Sequence, residues 1–107
     1  MIYLAGPYSH EDPKVREERF EALTQKAAEL MLEGHVVFSP ITHGHTIATR
    51  HDLPIDHEFW LKQDFRILRH CEKIIILRID GYQDSIGVNA EIEIANTLNI
   101  PMEFVDP

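Results

Sequence analysis

A chain of 107 residues is long enough for one compact domain with a core of its own and too short for two. Its 10 Lys and Arg stand against 18 Asp and Glu, a formal net charge of −8, which argues against a general nucleic-acid polymer or anionic-membrane surface because both reward clustered positive charge. The single cysteine, Cys71, has no disulfide partner in the chain, which points to a reducing cytoplasm, and no apolar run approaches the length of a membrane span.

Ile2 to Ala5 read as a first strand, stopped by Gly6-Pro7; this apolar stretch is too short, and lacks the basic flank, for a signal peptide. Asp12-Pro13 then sets a capping acceptor before a proline suited to the first helical position. Phe20, Leu23, Ala27, Leu30 and Met31 recur at helical spacing up to Gly34. His35-Val36-Val37-Phe38 makes a second strand, closing a β-α-β unit whose crossover should be right-handed. From Ser39 to about Asp56 the chain is rich in Pro, Thr and His and reads as a long loop, a plausible lid or pocket wall. A second helix is expected from about His57 to His70. The continuous apolar run Lys73-Ile74-Ile75-Ile76-Leu77-Arg78 is what a parallel strand covered on both faces requires. A last helix from about Val88 to Leu98, closed by Asn99, leads to a fourth strand at Pro101 to Val105.

This alternation predicts an α/β domain spanning 1–107, a flavodoxin-like (Rossmann-like) three-layer fold with a short parallel sheet in the order 2-1-3-4. In that order the switch point falls between the first and third strands. The Gly6-Pro7-Tyr8-Ser9 loop and the loop from Asp80 to Gly87 should then open onto one crevice. Four strands leave an edge and a helix face that a second subunit can cover, so a homodimer or higher homo-oligomer is expected.

The most informative stretch is Asp84-Ser85-Ile86-Gly87-Val88-Asn89-Ala90-Glu91, where a small-residue turn opens a helix. Glu91 stands four positions after Gly87, close enough to the helix start to point into the crevice while Ile92 and Ile94-Ala95 face the sheet or a neighbouring helix. A carboxylate there can act as a nucleophile. It can equally be one more acid complementing the positive end of a helix, the plainer account and the better one for Glu93. Asp64, on the second predicted helix, is either a solvated acid or the partner of Glu91 in dividing acid and nucleophile roles at a sugar. Tyr3 is either core filling or a hydroxyl that finds its partner in a crevice carboxylate.

Ser9, Ser85 and the N–H groups around Gly87 can cradle a phosphate, although Asp-Ser-x-Gly also makes an ordinary turn and cap. Seven histidines include His43-Gly44-His45, but no Cys pair or His-Glu-x-x-His spacing accompanies them, so no metal is assigned.

Ile2-Tyr3-Leu4-Ala5-Gly6, Asp64 with the acid Glu72 eight residues on, and Ser85-Ile86-Gly87-Val88-Asn89-Ala90-Glu91 together resemble the nucleoside 2-deoxyribosyltransferase-like superfamily, including the 2′-deoxynucleoside 5′-monophosphate N-hydrolases. The resemblance runs from about Met1 to Val105 and is closest to a small uncharacterised branch. It implies cleavage of an N-glycosidic bond through a covalent glycosyl-enzyme intermediate, resolved by water or a second base, with no cofactor. By this resemblance Glu91 is the nucleophile, Tyr3 positions it, Asp64 assists around sugar and base, and Ser85 matches a serine used for the 5′-phosphate. Gly6, Tyr8, Ser9, His43, Ser85 and Gly87 are the corresponding substrate-binding candidates, and the partner is a small nucleoside or nucleotide. The monophosphate hydrolases carry an arginine after the first-strand glycine; here that loop reads Pro7-Tyr8-Ser9-His10. The competing class is a module that binds or senses a nucleotide in the same crevice without turnover, and a third is a metal-dependent hydrolase built on the histidines.

Overall fold

The computed structural model describes residues 1–54 and 56–107. In chain order the elements are β1 (Ile2–Ala5), α1 (Pro13–Leu32), β2 (Val37–Phe38), α2 (Pro40–Arg50), α3 (His57–Leu68), β3 (Lys73–Leu77), α4 (Ile86–Thr97) and β4 (Met102–Val105). The strands form one sheet in the order β2-β1-β3-β4, every pair parallel. This is the predicted three-layer α/β architecture, with the switch point between β1 and β3.

Strand alternation builds the two faces. On one, Ile2 and Leu4 of β1 and Ile75 and Leu77 of β3 pack against Leu23, Ala27 and Leu30 of α1. On the other, Tyr3, Ala5, Ile74 and Ile76 meet Leu68 of α3 with Val88 and Ala95 of α4. Helices α3 and α4, from the crossovers that follow β2 and β3, therefore cover the face opposite α1, as right-handed connections demand, while α2 packs beside α1. Among the described residues no helix is long and apolar enough to cross a membrane.

Local signals set the boundaries. Asp12 accepts from Lys14 N at 2.9 Å and Pro13 opens α1. Gly34 (φ 98°) and Asn99 (φ 56°) both occupy the left-handed position just past a helix. Bonds from His35 N to Leu30 O at 3.1 Å and from Ile100 N to Ala95 O at 2.8 Å complete matching Schellman closures.

The stretch from Ser39 to about Asp56, expected as a loop, is mostly helix; its Ile55 lies outside the described residues. Ser39 Oγ accepts from Thr42 N at 3.4 Å and Pro40 takes the first helical position, where its missing N–H costs nothing. Thr49 Oγ1 folds back to His45 O at 2.9 Å, sparing a hydroxyl that would otherwise compete with the helix. At Gly44 the indole of Trp60 lies so close that a Cβ would sit 3.1 Å from its ring, and the indole N–H is donated to Pro54 O at 2.9 Å. Trp60 thus clamps α2 against α3.

Candidate functional site

The site is assembled by two helices that each place an acid on their sheet-facing stripe. On α4 the buried residues are Val88, Glu91 and Ala95, spaced three and four apart. Glu91 therefore faces the sheet itself rather than standing off it while its neighbours pack, and only 8% of it is exposed. On α3, Asp64 lies one turn before fully buried Leu68 and is half-buried.

What receives Glu91 is the central strand. The fully buried Tyr3 donates its hydroxyl to Glu91 Oε2, so two residues 88 positions apart are joined through the core. Asp64 is near enough for its charge to act on both. The three predicted catalytic residues converge.

The electrostatics follow from burial. Loss of water pushes the Glu91 carboxyl up to about 8; the Tyr3 hydrogen bond pulls it down, and the Asp64 charge pushes it up. Burial likewise raises Asp64 to about 6. Burial raises the Tyr3 phenol well above its ordinary value, with the charges of Glu91 and Asp64 adding to the effect, so its proton stays in place to be donated. Near neutrality the two carboxyl groups hold about one proton between them, a macroscopic property of the pair. With Glu91 at about 8 and Asp64 at about 6 the shared proton rests on Glu91, so a nucleophilic Glu91 would require Asp64 to take that proton, after which the two form the nucleophile and acid set that cleaving a glycosidic bond uses.

The binding candidates divide. Ser85 caps α4, accepting from Val88 N at 3.2 Å, and Gly87 lies in the first turn, where N–H groups lack intrahelical acceptors. These two mark the anion-friendly helix start beside Glu91. Gly6 is held by packing: a Cβ there would sit 2.6 Å from Leu23 Cδ2, so glycine lets β1 leave the sheet beneath α1. His43 is exposed on α2 and tilts over Phe38 at a ring distance of 5.6 Å, and Phe38 in turn lies 5.9 Å from the Tyr3 ring. Tyr8 and Ser9 lie on the loop after β1, their carbonyls accepting from Arg19 Nη1 at 3.4 and 2.9 Å.

Arg19, read from sequence only as part of the first helix, also donates from Nη2 to Asp80 O at 3.2 Å. It thereby ties the loop after β1 to the loop after β3, the two walls of the switch-point crevice. Gly81 (φ 93°) lies against the same guanidinium, leaving no room for a side chain there. The predicted partner of Asp64 in the motif, Glu72, lies elsewhere: it is exposed and accepts from the Met1 ammonium at 3.0 Å.

The two histidines of His43-Gly44-His45 diverge. His45 stacks on Phe20 at 4.1 Å, accepts or donates at Nδ1 with the Tyr8 hydroxyl at 2.6 Å, and pairs through Nε2 with Glu17 Oε2 at 2.9 Å. Glu17 and His45 were not among the expected site residues; the one signal was the histidine pair itself, since Glu17 reads in sequence as one more acid of a charged helix.

Residues 1–105 match the model of a family described as Domain of unknown function (DUF1937). No match was found among curated proteins.

Proposed function

We propose that this chain, which belongs to the DUF1937 family, breaks the N-glycosidic bond of a (deoxy)nucleoside or nucleoside 5′-monophosphate with Glu91 as the nucleophile. The observation that carries the reading is the buried Tyr3–Glu91 hydrogen bond with Asp64 beside it. A carboxylic acid on the sheet-facing stripe of a helix costs stability, and a costly group held by a dedicated donor suits chemistry better than packing. The sequence resemblance to the nucleoside 2-deoxyribosyltransferase-like superfamily supports the same assignment.

In this mechanism the Glu91 carboxylate attacks C1′ as the C1′–N bond breaks. The bonding pair leaves with the base, which takes up a proton held by the carboxyl pair. Tyr3 orients the attacking oxygen, and the Glu91 carboxylate stabilises positive charge developing on the sugar. A water, or the nitrogen of a second base, then attacks C1′ of the glycosyl ester, its proton passes to the carboxyl pair, and Glu91 is released. The α4 start at Ser85 and Gly87 is the natural place for a 5′-phosphate, because Arg19 is already engaged by backbone carbonyls.

Incubation with deoxynucleosides and their 5′-monophosphates should release free base, with a glycosyl ester trapped on Glu91 and seen by mass spectrometry. Absence of base across that panel, or release unaffected by Glu91→Gln, would overturn the assignment. A module that binds nucleotide without turnover is the second reading, favoured by the burial that holds Glu91 protonated near pH 7. Tight binding with the ligand recovered intact from the wild-type protein decides for it. The reading also includes a cytoplasmic homo-oligomer, supported by the open edge of β4, where Phe104 is 41% exposed; a monomer mass by light scattering refutes that part.

A further inference from the structure

Apart from the carboxyl pair, the molecule contains a second ordered polar chain, which joins α1, α2 and the loop after β1. Glu17 of α1, His45 of α2 and Tyr8 of the loop after β1 are linked in line, at 2.9 Å from Glu17 Oε2 to His45 Nε2 and 2.6 Å from His45 Nδ1 to the Tyr8 hydroxyl. The imidazole is held rigidly: its side chain is only 10% exposed, Phe20 stacks on it, and a Thr24–Thr42 hydroxyl bond of 2.9 Å fastens α1 to α2 beside it. Tyr8 itself is half-buried and sits where Arg19 fastens the two crevice loops together.

The direction of the hydrogen bonds follows from the terminal group together with the neutral form of the imidazole. A carboxylate can only accept, so in the neutral imidazole the proton lies on Nε2 and Nδ1 presents a lone pair. The Tyr8 hydroxyl must then donate to Nδ1. Its proton is committed, and the phenol oxygen has only acceptor capacity left for a ligand in the crevice.

We propose that Tyr8 is a specificity-determining residue which accepts a hydrogen bond from the bound nucleoside and cannot donate one, because His45 and Glu17 hold its proton. This rests on the nucleoside reading of the crevice. The ligand it selects carries a neutral donor facing the loop after β1, either an exocyclic amine of the base or a hydroxyl of the sugar. An oxo group at that position is rejected, since it would set two acceptors against each other.

The test is calorimetric binding in a Glu91→Gln background, which keeps ligands intact. Deoxyadenosine against deoxyinosine and deoxycytidine against deoxyuridine probe the amine; 3′-deoxy and 5′-deoxy analogues probe the hydroxyls. One donor-bearing ligand is expected to bind about tenfold or more tightly than its counterpart lacking that donor. Tyr8→Phe should erase this ratio. His45→Phe, which preserves stacking on Phe20 but frees the Tyr8 proton, should shrink it by restoring tolerance of the oxo ligand. Ratios unchanged by Tyr8→Phe in every pair overturn the proposal, and so does an oxo preference in the parent. Failure here leaves base release by the wild type intact, whereas loss of the Glu91 mechanism shows as no base release with the binding ratios still present. Absence of binding by every nucleoside defeats both.

Discussion

The two faces of the sheet are cut from the same strands and differ by a single register step. Ile2, Leu4, Ile75 and Leu77 point toward α1 into a face whose buried residues are all apolar. Tyr3, Ala5, Ile74 and Ile76 point the other way, into a core of similar make-up that must also accommodate Glu91 and the flank of Asp64. The first face contributes stability. The second gives some of it up, because an acid held near pKa 8 is protonated or paid for by desolvation. The proposed chemistry is placed by parity along β1: moving one residue from Tyr3 to Leu4 crosses from the face that holds Glu91 to the inert one.

The largest expected effect comes from removing the proposed nucleophile. Glu91→Gln should lower base release by at least about a thousandfold, while far-ultraviolet dichroism stays native. The same variant should be more stable than the wild type at pH 7. Glu91 has a folded pKa of about 8 against an ordinary 4.5, so the native state binds the proton more tightly. Its contribution is full below about 4.5 and is lost as pH rises through about 8. A neutral amide escapes that loss, on the order of 1–3 kcal/mol at pH 7, and the gain over wild type in urea midpoint should shrink as the pH is lowered toward 4.5. A gain that does not depend on pH would break the comparison of the faces.

On the inert face, Leu4→Ala should cost about 2–5 kcal/mol, read by urea unfolding, yet leave base release per folded molecule near the wild-type value. A loss of turnover as severe as that of Glu91→Gln would show that the faces are not independent. Tyr3→Phe gives a smaller effect with a distinctive sign. The Tyr3 hydrogen bond lowers the Glu91 pKa, so its removal should move the alkaline-rising limb of the pH–rate profile to higher pH. Asp64→Asn removes a charge that raises Glu91 and should shift that limb downward, less than Tyr3→Phe shifts it up, and because it also removes the carboxyl that protonates the leaving base it should lower the plateau rate by about a hundredfold or more.

Much of this was readable from residue order. The run Lys73 to Leu77 reads as a strand covered on both faces, and the alternation of strands and helices implies a parallel sheet, for which the expected flavodoxin-like order 2-1-3-4 is the one observed. Glu91, Tyr3 and Asp64 were identifiable because their motifs are local. Other features were hidden for physical reasons. Helix α2 carries Thr, His and Gly in place of a leucine stripe, so few large apolar residues mark its buried side; only the Ser39-Pro40 start betrayed it. The orientation of Glu91 depends on which turn of α4 meets Tyr3, a tertiary matter. The Glu17–His45–Tyr8 chain joins three elements, and no spacing in one of them encodes the other two.

Arg19 belongs to α1, the helix of the inert face, yet its guanidinium holds carbonyls of Tyr8, Ser9 and Asp80 on both crevice walls. Those walls are therefore expected to open together on the timescale of local unfolding. Amide hydrogens around Ser9 and Gly81 should exchange with solvent at a common rate, and Arg19→Ala should accelerate both and uncouple them. A single side chain on the far layer thus sets how often the crevice breathes.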